Sequence, residues 1–266
     1  MNIIVCIKQV PGIPEVKINP ATNTLIREGI VNIINPFDVY AIEEGLLMKE
    51  KFGGKVLVLS LGPPQAVSAL REAVGMGADE AVLLSDRAFA GSDSWATAYV
   101  LSLAIRKLGE FDIILCGKQA IDGDTGQVGQ EIASQIGVTQ LTYVSKIVEL
   151  KPEAGTIRVE RLLEEGREIV DAKLPALLTV VKDINQPRQA KLSHMRRASR
   201  LKIPTWTPAD LPGVDPAKLG LKGSPTQVIK IFSPPKREGS LELIEADNVE
   251  DAAATLADKI IAGRIL

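Results

Sequence analysis

At 266 residues, with 45% hydrophobic and 24% charged side chains, the chain has the composition of a soluble globular protein, one domain plus an appendage. A net charge of −2 excludes the strongly basic footprint of a nucleic-acid binder, and no apolar run reaches the roughly 18–20 residues that membrane insertion needs. Two cysteines (Cys6 and Cys116) and one histidine (His194) are too few for a disulfide framework, a one-chain iron–sulfur cluster, a histidine-built metal site or a serine triad.

Residues 3 to 7 form a short, fully apolar run, as a parallel strand buried on both faces produces. No signal or transit pattern precedes it, and two reduced cysteines suit a cytoplasmic protein. Residues 11 to 34 read as an excursion carrying a hairpin, leaving the C-terminal end of that strand. Asn35, Pro36, Phe37 and Asp38 mark a helix entry, with Val39, Ile42 and Leu46 on its apolar face and Gly53-Gly54 ending it. A strand at 55–60 follows, then a helix from Gly62-Pro63-Pro64 to about Val74, a turn at 75–79, and a strand at 81–84. Asp93 or Ser94 caps the next helix, which carries Trp95, Ala98, Leu101 and Ile105, and residues 113–116 form the fourth strand. Strict alternation of this kind predicts a doubly wound parallel α/β sheet, with ligands at the carboxyl ends of its strands.

The stretch from Leu115 to Gly129 organises the rest. A strand leads through a small-residue loop into a helical pattern with Val128, Ile132 and Ile136 on one face. Asp124 reads as the N-cap, with Gln127 answering it in a capping box. Gly123, Gly126 and Gly129 leave the amides of the first turn free to face an anion at the positive end of the helix dipole. Asp122 and Asp124 would repel a phosphate if aimed at it, so they are expected to turn away, capping the helix or accepting from ribose hydroxyls. An ordinary strand-to-helix loop remains open as the alternative. Neither a P-loop nor a Gly-x-Gly-x-x-Gly fingerprint is present.

From Val144 the pattern changes. Strands at 144–150, 156–161, 168–170 and 176–181, separated by tight polar turns, predict an antiparallel extension of the sheet. Residues 188–200 are basic and helical in pattern, 203–235 are proline-rich, and a last amphipathic helix covers 249–262. Two regions are therefore expected: an α/β nucleotide-binding domain at 1–185, and an arm at 186–266 that packs on a partner chain.

Several of these residues resemble the β subunit of electron transfer flavoprotein. They include the opening Ile-Val-Cys-Ile-Lys-Gln-Val-Pro, Asn35-Pro36-Phe37-Asp38 with Glu43-Glu44, Ser60-Leu61-Gly62-Pro63 and Gly75-Met76-Gly77-Ala78-Asp79. The most specific is Gly117-Lys118-Gln119-Ala120-Ile121-Asp122-Gly123-Asp124; Lys173-Leu174-Pro175-Ala176, Pro187-Arg188 and Ala190-Lys191-Leu192 also fit, in collinear order along the chain. The resemblance implies an αβ heterodimer with FAD in the α subunit. It implies either AMP or, in an electron-bifurcating branch, a second FAD in the β subunit. By position, Cys6 and Cys116, Asn35, Pro36, Phe37, Asp38 and Leu61 would line that pocket. Asp122, Gly123, Asp124, Thr125, Gly126, Gln127, Val128, Gly129 and Gln130 would hold ribose and phosphate, with Thr125 as the side-chain donor. Leu192 would dock a partner dehydrogenase, of the acyl-CoA type or another flavin enzyme; packing of a terminal arm is its plainer explanation.

The 122–129 loop and the excursion from Glu15 to Gly29 resemble the bifurcating branch, in which NADH reduces the β-subunit FAD. One electron then goes through the α-subunit FAD to a dehydrogenase and the other to ferredoxin or flavodoxin. Phe37 is shared with the AMP-binding branch. The redox chemistry would belong to the flavins, so no catalytic side chain is expected. An adenine-nucleotide ligase or pyrophosphatase would need a phosphate loop near the first strand, which is missing; a purely structural subunit is the remaining rival. Lys8 and Arg27 could meet flavin or nicotinamide phosphates, but a solvated charge is the plainer reading of each.

Overall fold

The computed structural model describes residues 1–12, 18–19, 24–25, 31–229 and 242–263. Most of the 15–29 excursion, Arg27 included, and residues 230–235 lie outside the described residues. Two units are distinguished, Met1–Ile229 and Lys230–Leu266.

In the first unit, β1 (Asn2–Ile7) buries five consecutive residues. Each buried aliphatic side chain there contributes about 1.5–3 kcal/mol, and β1 is an interior strand, paired on both sides. Two two-stranded pieces follow it. β2 (Gln9–Pro11) pairs with β5 (Asn32–Ile34), and β3 (Ile18–Asn19) pairs with β4 (Thr24–Leu25), giving the expected hairpin. Helix α1 (Pro36–Phe52) starts with proline at its first position and ends at Gly53, as its sequence dictates. Then come β6 (Lys55–Leu61), α2 (Val67–Met76, entered through a 3-10 turn at Pro64–Ala66), β7 (Glu80–Leu84) and α3 (Ser94–Leu108). Asp93 caps α3 by accepting from the Ala96 amide at 3.0 Å. Next are β8 (Ile113–Gly117), α4 (Val128–Ile136), β9 (Thr139–Lys151), β10 (Thr156–Leu162), β11 (Arg167–Lys173) and β12 (Ala176–Val180).

Nine strands form one sheet in the order β11-β10-β9-β12-β8-β1-β6-β7, ending on β13 (Thr205–Trp206). Helices α1 and α2 cover one face through Ala41, Ile42, Leu46, Ala69 and Leu70. The other face is covered by α3 and α4 through Ala98, Leu101, Ile105 and Ile132. The sheet is doubly wound, as expected, but the antiparallel extension is only β9, β10 and β11. β12, expected within that extension, instead runs parallel to both β8 and β9 and sits between them. All five of its residues are buried, which suits a central parallel strand covered on both faces.

Residues 186–229 join the core of this unit. Helix α5 (Leu192–Arg200) packs on α2 and begins four residues later than its basic pattern begins. Ala198, Leu211 and Leu219 are buried, and a one-turn helix, α6 (Gly220–Gly223), follows. In the second unit, α7 (Val249–Ala262) is capped by Asn248, which accepts from the Asp251 amide at 2.8 Å, and none of its residues is buried. Among the described residues, no helix is long and apolar enough to cross a membrane.

A crevice at the strand ends

The chain order reverses beside β1. Strands β6 and β7 lie on one side of it, and α3 carries the chain back to β8 on the other. Loops leaving β1 and β8 therefore part at their carboxyl ends, the place where doubly wound sheets form a ligand crevice. Cys6 and Cys116 lie opposite each other in the β1–β8 register, both buried. A hydrogen bond with Cys6, together with burial, holds the Cys116 thiol well above the ordinary range, so Cys116 stays protonated.

The start of α1 ties the crevice together. Asp38 is buried, and its carboxylate accepts from the Lys8 amide at 2.7 Å, the Gly117 amide at 3.1 Å and Asn35 Nδ2 at 3.0 Å. Burial pushes its pKa up to about 7, against the pull of those donors. Asn35, also buried, donates to the Gln119 carbonyl at 2.8 Å and accepts from the Ile121 amide at 3.1 Å. Two neighbouring side chains thus fix the exits of both strands. The Lys118 ammonium stands 5.0 Å from the centroid of the half-buried Phe37 ring. Pro36 is exposed at the first turn, and Leu61 ends β6 half-buried.

In the loop itself, Asp124 does not cap α4. It adopts φ 56°, its amide donates to the Ala120 carbonyl at 2.8 Å, and its carboxylate accepts from Gln119 Nε2. The residue preceding α4 is Gln127, and no side chain caps the helix. The capping-box expectation fails because a left-handed Asp124, folded back on its own turn, is too early in the chain to reach the first-turn amides. Asp122 pairs with Lys8 at 2.7 Å, so Lys8 is not merely a solvated charge. Both carboxylates are thereby engaged by other side chains, Lys8 and Gln119, and neither caps α4. Gly129 lets α4 approach the sheet: a Cβ there would lie 2.6 Å from Thr179 Cγ2. Gly123 and Thr125 are exposed, while Gly126, Val128 and Gln130 are partly covered.

Glu131, which no pattern in the sequence singles out, meets the start of α3. Ser94, at the start of α3, donates to Glu131 on α4 at 3.1 Å, and burial raises the Glu131 pKa despite that bond. Leu192 is 68% exposed on a different element, α5. A cavity lined by Trp95, Tyr99 and Arg106 and another lined by Ser193, Arg196 and Arg200 open elsewhere, and neither includes a residue expected to hold nucleotide.

Comparison with known proteins gives the family of the chain. Residues 22–211 match the model of the Electron transfer flavoprotein domain. The electron transfer flavoprotein subunit beta of Clostridium acetobutylicum is 48% identical over 260 residues, covering 98% of each chain. The chain belongs to the electron transfer flavoprotein family. Protein FixA of Bradyrhizobium diazoefficiens is 46% identical, covering 98% of this chain and 91% of its own. The caffeyl-CoA reductase-Etf complex subunit CarD of Acetobacterium woodii is 46% identical, covering 98% of both chains. Within the electron transfer flavoprotein family, the chain stands with the β subunits and FixA proteins, and its function is electron transfer.

Proposed function

We propose that the crevice binds the adenosine-phosphate part of an FAD, and that the chain works in an αβ heterodimer bifurcating electrons from NADH. The observation that carries the reading is the state of the 117–129 loop. Its carboxylates are occupied by Lys8 and Gln119, and the first turn of α4 has no side-chain cap. Unpaired amides at a positive helix end suit a phosphate. Cys6 and Cys116 supply a small, buried floor for adenine, and Asn35 and Asp38 hold the loops apart at a fixed spacing. A flavin bound here would supply the two-electron and one-electron chemistry; the chain's residues bind it, orient it and screen it from water.

In this reading, one electron reaches a dehydrogenase through the α-subunit FAD and the other reaches ferredoxin or flavodoxin. Exposed Leu192 and Met195 on α5 present the docking surface for the dehydrogenase. CarD, named as part of a reductase–Etf complex, supports a partner of that kind. The amphipathic α7, with Val249, Leu256 and Ile261 exposed, packs on the α subunit. Cytoplasmic residence suits two free, buried cysteines.

A second reading rests on Phe37, whose pattern the AMP-binding branch shares. There the crevice holds AMP as a structural ligand, and the only working flavin is in the α subunit. Anaerobic addition of NADH to the heterodimer separates the two. Bifurcation predicts bleaching of two flavins' worth of absorbance near 450 nm; no bleaching by NADH leaves the AMP reading.

A further inference from the structure

Among the described residues, only two that are not glycine have positive φ: Asp124 at 56° and Tyr143 at 55°. For a bulky aromatic residue this conformation is a genuine outlier, which glycine would adopt without strain. Tyr143 reaches the loop to which Asp124 belongs. A Cβ built on Gly126, two residues beyond Asp124, would stand 3.8 Å from the Tyr143 hydroxyl.

The sheet is locally altered to put the ring there. Opposite β12, the register steps from Leu178 paired with Leu141 to Val180 paired with Val144, so β9 carries one extra residue, a β-bulge. Buried Thr179 fills the gap, accepting from the Tyr143 amide at 3.1 Å. The methyl of the same threonine faces Gly129 in the first turn of α4. One side chain therefore ties the strained tyrosine to the helix end. Tyr143 itself is 37% exposed, too open for the strain to be repaid by core packing. Strain held against a glycine alternative is a mark of a functional position.

We infer that Tyr143 is a phosphate-contacting residue of the nucleotide crevice, its hydroxyl donating to the phosphate received by the first turn of α4. The inference rests on the nucleotide reading above and adds a residue to it. No pattern in the sequence marks this tyrosine, because the bulge and the backbone angle are set by strand pairing.

The test uses the αβ heterodimer stripped of the nucleotide in this subunit, titrated calorimetrically with AMP and with adenosine. Tyr143→Phe is expected to weaken AMP about tenfold, the loss of one hydrogen bond to a charged group, and to leave adenosine unchanged. Unchanged AMP affinity, or equal loss for AMP and adenosine, would overturn the inference, since a merely structural tyrosine cannot tell the two apart. Tyr143→Gly checks the strain: without nucleotide it should melt at or above the wild-type temperature, by about 2–4 °C if the strain dominates. A lower melting temperature would mean that the ring is kept for packing. If the wild-type heterodimer takes up no AMP, the nucleotide reading itself fails, and this inference with it.

Discussion

Arg188→Ala is expected to cost about 3–5 kcal/mol of stability, the usual penalty for stripping the partner from a buried charge. Arg188 donates through Nε and Nη2 to Glu43 at 2.8 and 2.9 Å, and it also reaches Glu50. Glu43 is 3% exposed on the inner side of α1. Its neighbour Glu44 is buried too, with its pKa raised by burial and eased by Asn185, which donates at 2.9 Å. These two α1 carboxylates are thus answered from the segment that leads to α5. In a unit of this size, such a loss would lower the melting temperature by roughly 2–4 °C per kcal/mol. The double variant Glu43→Leu with Arg188→Met should recover most of that loss, because a well-packed apolar pair replaces a buried ion pair at little cost. A double variant no more stable than Arg188→Ala would mean that the pair does more than satisfy its own charges.

Gly117→Ala is expected to cost about 3 kcal/mol, the upper end for overpacking, because nothing around the added methyl can give way. It would press on Asp38 Oδ1 and lie 2.7 Å from the carbonyl carbon and from Cβ of Phe37. Relief would need α1 to move off the sheet. That movement breaks the bond from the Gly117 amide to Asp38 and the pinning of Gln119 and Ile121 by Asn35. Stability by urea denaturation and nucleotide retained after gel filtration should therefore fall together. A variant that keeps wild-type stability and nucleotide content would contradict the role given to the α1 entry.

The order of strands and helices up to β8 was legible because each strand is a bounded apolar run and each helix has a visible start. Pro36, Asp93 and Asn248 act where the sequence placed helix starts. The place of β12 was not legible: Ala-Leu-Leu-Thr-Val, buried throughout, has no alternation to reveal its pairing, and its partners are chosen by sheet topology. The crevice was legible as a loop but not as a lattice. Asp38 meets Gly117 across 79 positions, and Asn35 meets Gln119 across 84, separations that local patterns cannot register. Asp124 was misread for the opposite reason. Its residue type fits an N-cap, but its backbone turned left-handed and took the side chain elsewhere.

The most direct test of the account is to denature the purified αβ heterodimer and count the nucleotides it releases. Two FAD and no AMP per heterodimer is the predicted result, placing a flavin in the crevice between the β1 and β8 loops. One FAD and one AMP would contradict bifurcation and leave a one-flavin shuttle. A single FAD with nothing else would contradict the nucleotide role of the Asp122–Gln130 loop altogether.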